Sequence, residues 1–240
     1  MGIYYYKYVI PPHLCFTANT DGSTVQLTKN WSPTEIILEI SVDGINWSNY
    51  TIWDIITLNN VWDKVYWRNT SETSTWFSTS STNYYMFSLT WSLNASWDVT
   101  SLINKNCTDT LITNYSFGRL FYNSSNSNVL KTAPKLLATN ITSYCYYQMF
   151  NRCTGLMTLP KLPATTLMSW CYYQTFSRCS SIKLSETQTW EYQTEYRIPT
   201  SWTWTTATNA LYYTFMSTWW TWTWWTPDIN TTYYTSNDLV

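Results

Sequence analysis

Apolar and polar residues alternate over much of the first hundred positions, in runs rich in β-branched and aromatic side chains. The runs are Tyr4–Ile10, Leu14–Ala18, Thr24–Thr28, Glu35–Val42, Ile55–Leu58, Lys64–Arg68 and Tyr84–Leu89. Alternation with period two places one set of side chains on a buried face and the other toward solvent, which is the pattern of strands. Turn residues separate the runs at short intervals, so the region is expected to form an antiparallel β-sandwich. Between Ser41 and Trp47 the chain reads as a hairpin, with Asp43-Gly44 supplying the positive φ angles of a tight turn.

From about residue 111 the pattern becomes an internal repeat. Pro134, Cys145 and Cys153 recur 26 positions later as Pro160, Cys171 and Cys179. Around them Cys145-Tyr146-Tyr147-Gln148-Met149-Phe150 matches Cys171-Tyr172-Tyr173-Gln174-Thr175-Phe176. A weaker copy, Tyr115 to Phe121, precedes them. Each unit offers a short extended piece, Leu-Pro-Lys-Leu, then a segment read as a helical turn or two. A period of 26 falls in the range of leucine-rich repeats. Neither piece can bury its apolar side alone, so stacking is required. The expectation is an α+β protein: a β-sandwich at 1–105, a short leucine-rich-repeat solenoid at 106–185 and a repeat-like cap at 186–240. Cys145, Cys153, Cys171, Cys179, Phe150, Phe176, Pro134 and Pro160 are its structural repeat positions, with the cysteines expected as buried thiols. One tyrosine of each pair, Tyr146-Tyr147 and Tyr172-Tyr173, is expected to face outward, and the four form the candidate binding face.

Phe150-Asn-Arg-Cys-Thr-Gly-Leu156 followed by Leu159-Pro-Lys-Leu-Pro-Ala-Thr-Thr-Leu167 resembles the BspA-like leucine-rich-repeat proteins. The likeness is strong over about 111–185, weaker at Leu14–Ile103, and extends into the segment from Ser185. It implies a bacterial surface or phage-associated repeat protein that binds or adheres, with a cell-surface, extracellular or virion location. It implies no catalytic residue and no cofactor, and leaves the partner open as a protein or a glycan.

Composition sharpens this picture at one point. The chain has 17 Trp and 5 Gly among 240 residues, where a soluble domain carries about 7% Gly. Trp47 and Trp67 lie in strand contexts. The other fifteen lie where turn chemistry takes glycine: Trp31, Trp53, Trp62, Trp76, Trp91, Trp97, Trp170, Trp190, Trp202, Trp204, Trp219, Trp220, Trp222, Trp224 and Trp225. Sequences of the resembling family would read Asn-Gly-Ser-Pro at 30–33 and Val-Gly-Asp-Lys at 61–64. The fifteen therefore read as UGA codons assigned to Gly in a reassigned genetic code and written as Trp. Two Trp and twenty Gly would remain. The rival reading keeps the indoles as platforms for sugar rings, which makes the protein a carbohydrate-binding module. A third reading is a structural protein of a virion or cell coat.

Charge and motif content narrow the classes further. Lys+Arg number 13 and Asp+Glu 14, a net charge of -1, with no basic cluster for a phosphate backbone. No apolar run is long enough to span a membrane, and the start of the chain lacks the pattern of a secretion signal. His13 is the single histidine and assembles no triad; no Cys-x2-Cys pair suggests zinc. A non-enzymatic protein without metal or cofactor is the expectation.

Overall fold

The computed structural model describes residues 13–31, 35–73, 75–107, 111–122, 129–199, 207–220 and 226–240. The run Tyr4–Ile10 lies outside them. Among the described residues eight strands precede residue 97: β1 (Leu14–Ala18), β2 (Ser23–Asn30), β3 (Leu38–Ser41), β4 (Ser48–Tyr50), β5 (Ile55–Leu58), β6 (Lys64–Asn69), β7 (Tyr84–Thr90) and β8 (Leu93–Ser96). The strand β9 (Leu130–Thr132) completes a six-stranded sheet in the order β4-β3-β6-β1-β8-β9, and β5-β2-β7 form a second sheet. The two sheets face one another. Phe16 of β1 and Trp67 of β6 meet Phe87 of β7 at ring separations of 4.8 and 5.1 Å. Alternation explains the burial: Val65 and Trp67 are fully buried, and their neighbours Lys64, Tyr66 and Arg68 are not.

The Ser41–Trp47 hairpin is a wider loop than the expected tight turn. Ile40 pairs with Ser48, and only Gly44 has a positive φ, +74°. The loop closes around the Asp43 carboxylate, which accepts the N–H groups of Asn46 and Ile45, both at 2.8 Å, and the Ser41 hydroxyl at 2.8 Å. These bonds, led by the one from Asn46, hold the Asp43 carboxyl well below the usual range.

The expected leucine-rich-repeat solenoid, and with it the α+β class, is corrected. The fold is β-rich, and the described residues contain no α-helix; a short 3-10 turn covers Val99–Leu102. Each segment read as helical is a ribbon of consecutive turns. In 143–153 the N–H groups of Tyr147, Met149, Asn151 and Cys153 bond the carbonyls three residues back. The intervening N–H groups of Tyr144, Tyr146, Gln148, Phe150 and Arg152 reach across to Ser169, Cys171, Tyr173, Thr175 and Ser177. A helix needs every N–H for its own i−4 carbonyl; here half of them are spent on the neighbour. Tyr144, Gln148 and Arg152 have positive φ, as do Trp170, Gln174 and Arg178 in the next ribbon. A left-handed residue at every fourth position folds the chain back and prevents helical propagation.

Among the described residues four ribbons stack, at 114–122, 143–153, 169–179 and 207–218. The fourth pairs Ala210, Tyr212, Thr214 and Met216 carbonyls with N–H groups of 172, 174, 176 and 178. Its equivalence to the third is at an offset of 39 rather than 26, so the regular spacing hides it. The remaining strands are β10 (Thr158–Leu159), β11 (Lys183–Ser185), β12 (Thr194–Arg197), β13 (Trp219–Trp220), β14 (Thr232–Thr235) and β15 (Asp238–Leu239). They form the sheet β12-β14-β11-β13 and the parallel pair β10-β15. Asn237 locks the last strand in place: it accepts from the Lys183 N–H at 2.7 Å and donates to the Met157 and Ser181 carbonyls at 2.8 and 3.0 Å.

The core runs without a break from sandwich to ribbons. Phe87, Phe121, Phe150, Phe176 and Phe215 stack in sequence at 5.6, 5.3, 5.5 and 5.3 Å. Such offset stacks add about 0.5–1.5 kcal/mol per pair beyond area burial.

Candidate functional site

Side chains along each ribbon follow a period of four, two inward and two outward. In 145–150, Cys145, Tyr146, Met149 and Phe150 are buried, while Tyr147 and Gln148 are half-buried at the surface. The same holds for Cys171, Tyr172, Thr175 and Phe176 against Tyr173 and Gln174. Stacking then aligns like residues into rows on the outer face.

Two tyrosine rows result. Tyr115 and Tyr144 stack at 4.5 Å and 8°, and Tyr144 continues onto Trp170 at 5.9 Å and 3°. Beside them Tyr147 and Tyr173 stack at 5.2 Å and 9°, and Tyr173 and Tyr212 at 6.0 Å and 20°. A polar row runs alongside. Arg119 Nε donates to Gln148 Oε1 at 2.9 Å, and Gln148 Nε2 donates to Gln174 Oε1 at 2.6 Å. The Arg119 guanidinium also lies 5.2 Å from the Tyr84 ring centre and 5.6 Å from that of Tyr147, within cation–π reach. It joins the sandwich to the stripe.

The rings are stacked on one another, so their faces are largely covered and their edges are what a partner meets. That geometry suits hydrogen bonding to a partner more than ring-on-sugar stacking, which needs free ring faces. Burial, followed by the neighbouring phenols Tyr144 and Tyr147, pushes Tyr115 up to about 12, and burial likewise raises Tyr173. The stripe is therefore a row of aromatic rings with a polar row beside it, its rungs about one strand spacing apart.

Two of the four proposed contact residues do not lie on this face. Tyr146 and Tyr172 are fully buried, stacked at 5.4 Å inside the ribbons, because they occupy inward positions of the period. Burial drives both phenols well above their usual range. Tyr147 and Tyr173 are at the surface. Sequence reasoning missed Tyr115, Tyr144, Tyr212, Arg119, Gln148 and Gln174. The signal was the period of four, which resembles the i, i+4 spacing of a helix.

The structural repeat positions are all inside. Phe150, Phe176, Cys145, Cys153, Cys171 and Cys179 are buried, as are Pro134 and Pro160. The four thiols are free. Cys179 and Cys153 donate across ribbons to the Phe150 and Phe121 carbonyls at 2.9 and 3.1 Å. Burial pushes the Cys171 thiol up to about 12, which removes the nucleophilic thiolate.

The tryptophans divide sharply. Trp67 is buried in the sandwich, and Trp47 is held between the Arg68 guanidinium at 3.9 Å and the edge of His13 at 4.9 Å. Trp31, Trp53, Trp62, Trp76, Trp91, Trp97 and Trp190 are exposed. Trp170 is half-buried beside Tyr144 and Tyr173. Trp219 and Trp220 form β13, and Trp202, Trp204, Trp222, Trp224 and Trp225 lie outside the described residues.

Other features offer less chemistry. His13 is buried, its Nε2 donating to the Lys105 carbonyl at 2.7 Å, and desolvation lowers its pKa. A cleft of about 330 Å³ lies between Lys161–Thr165 and Glu195–Pro199, lined largely by apolar side chains. Among the described residues no group of three His, Cys, Asp or Glu could hold a metal ion, and no helix is long and apolar enough to cross a membrane. Comparison with protein-family models, curated proteins and solved structures found no match.

Proposed function

We propose that the protein is a non-enzymatic binding or adhesion protein displayed on a surface, and that its contact surface is the outer face of the turn ribbons. The observation that carries this reading is the continuous stripe of Tyr115, Tyr144, Tyr147, Tyr173 and Tyr212 with its Arg119-Gln148-Gln174 row. Tyrosine offers large contact area with few rotatable bonds, and its hydroxyl adapts to different partners. A row of equivalent donors repeated from ribbon to ribbon fits an extended polymer, a polypeptide or a glycan chain, laid along the stack. The likeness of the repeat units to BspA-like proteins points in the same direction.

The test is binding of the purified protein to immobilised polysaccharides, extracellular-matrix proteins and whole bacterial cells. The double variant Tyr147→Ala/Tyr173→Ala is expected to lose retention at least tenfold with folding intact by circular dichroism. Unchanged retention would remove the stripe from the contact surface.

A second reading is a carbohydrate-binding module using the exposed indoles. Trp31, Trp62, Trp91 and Trp190 are 77, 72, 68 and 86% exposed, which leaves ring faces free for sugars. In the same assay that reading expects Trp62→Ala and Trp91→Ala to abolish glycan retention while the tyrosine variants retain it.

A further inference from the structure

The exposed indoles share a backbone property that bears on what the native residues are. Among the described residues from 13 to 106, eight tryptophans occur: 31, 47, 53, 62, 67, 76, 91 and 97. Five of them have left-handed backbones: Trp31 at φ 57°, Trp53 at 83°, Trp62 at 74°, Trp91 at 62° and Trp97 at 64°. One further non-glycine residue among the described residues ahead of the first ribbon has a positive φ, Cys107 at 52°. The two described glycines of the same range, Gly22 and Gly44, have φ of 73° and 74°. Ahead of the ribbons, tryptophan and glycine thus make up all but one member of this conformational class among the described residues.

Sterics make this assortment improbable for genuine tryptophan. Only a few per cent of non-glycine residues adopt positive φ, mostly Asn, Asp and His, and a bulky side chain there is a true outlier. Glycine meets no such penalty. The side chains give little back: all five indoles are exposed, between 47 and 77%, and among the described residues only Trp97 of the five has a cation near its ring, the Lys135 ammonium at 5.9 Å. Trp47 and Trp67, the two that pack, have ordinary backbones. The ribbons show the contrast: their left-handed positions hold Tyr, Arg, Gln, Asn and Ser, in a repeated backbone held from both sides by hydrogen bonds. Trp170 belongs to that class and carries no weight here.

From this geometry we infer that the native residue at 31, 53, 62, 91 and 97 is glycine, and that the protein's own cell reads the corresponding codons as glycine. The exposed indoles are then not a ligand platform, and the tyrosine stripe is the aromatic surface that remains. This inference stands apart from the proposed function: the stripe does not depend on the identity of these five residues.

Two measurements test it. The codons are expected to be UGA at the five positions and UGG at 47 and 67; UGG at the five overturns the inference. Independently, chemical denaturation of the protein bearing all five Trp→Gly changes is expected to show higher stability than the parent. The gain expected is roughly fivefold in the folding equilibrium constant per site. Trp76→Gly and Trp190→Gly remove exposed indoles from ordinary backbones and are expected to give no gain. Equal gains at 76 and 190, or no gain at the five, would overturn the backbone account.

Discussion

The β-sandwich and the turn ribbons solve one problem by different routes. Both must satisfy every backbone N–H and C=O while burying one side of the chain. The sandwich does so by antiparallel pairing, β1 between β6 and β8 and β2 between β5 and β7, so side chains alternate one in, one out. The ribbons divide their N–H groups between local turns and the next ribbon, so side chains run two in, two out. The sandwich confines left-handed residues to its loops; the ribbons require one at every fourth position. The difference teaches that a ribbon has no independent stability. Half of its donors depend on a neighbour, and its aromatic core is shared with the ribbons on either side.

The strongest break in this comparison is Phe150→Ala. Phe150 is fully buried and stacks on Phe121 and Phe176, so the change is expected to cost about 3–5 kcal/mol. Hydrogen exchange is expected to show lost protection across 114–179 before the sandwich opens. If the ribbons kept full protection, their interdependence would be disproved. Thr175→Val is a milder probe. The Thr175 hydroxyl donates to the Tyr146 carbonyl at 2.9 Å across ribbons, as Thr214 does to Tyr172 at 3.0 Å. Each loss is expected to cost about 1 kcal/mol in urea titration.

His13 sharpens the sandwich side. Burial lowers its pKa below the usual value of 6.5, so the unfolded chain binds the proton first as pH falls. The stabilising preference for neutral histidine is full above pH 6.5 and is lost as pH falls through the lowered folded value. His13→Asn is expected to flatten that part of the stability–pH curve, read by thermal melts from pH 8 to 5. An unchanged slope would place the titration elsewhere. The smallest effect is expected from Tyr172→Phe. The Tyr172 hydroxyl is buried without a protein partner, so its removal should leave stability unchanged or slightly raised. A loss above 1 kcal/mol would mean that the hydroxyl is hydrogen-bonded in solution.

Much of the sandwich was legible in sequence. β1 and β5 cover the residues that alternation marks, and β2, β6 and β7 run only one or two residues beyond theirs. β8, with its polar Leu-Asn-Ala-Ser run, carries too little alternation to stand out. The repeat was legible as a repeat but not as a conformation. Its buried pairs recur every four residues, and by spacing alone that pattern is also one face of a helix. The stripe was partly legible: Tyr147 and Tyr173 were marked, whereas Tyr115 and Tyr212 sit in units at offsets of 29 and 39, and Tyr144 has Trp170 as its counterpart 26 residues on.

By itself the sequence determined most strands of the first hundred residues, the 26-residue repeat, the packed pair Trp47 and Trp67, and the glycine-like contexts of the other tryptophans. These follow from local chemistry: alternation, spacing and the demands of turns. Only the tertiary structure decided between helix and turn ribbon, which tyrosines face outward, and where the fourth ribbon lies. Those depend on where each backbone N–H finds its carbonyl, and for half of each of the first three ribbons that carbonyl belongs to a segment of chain 25 or more residues away.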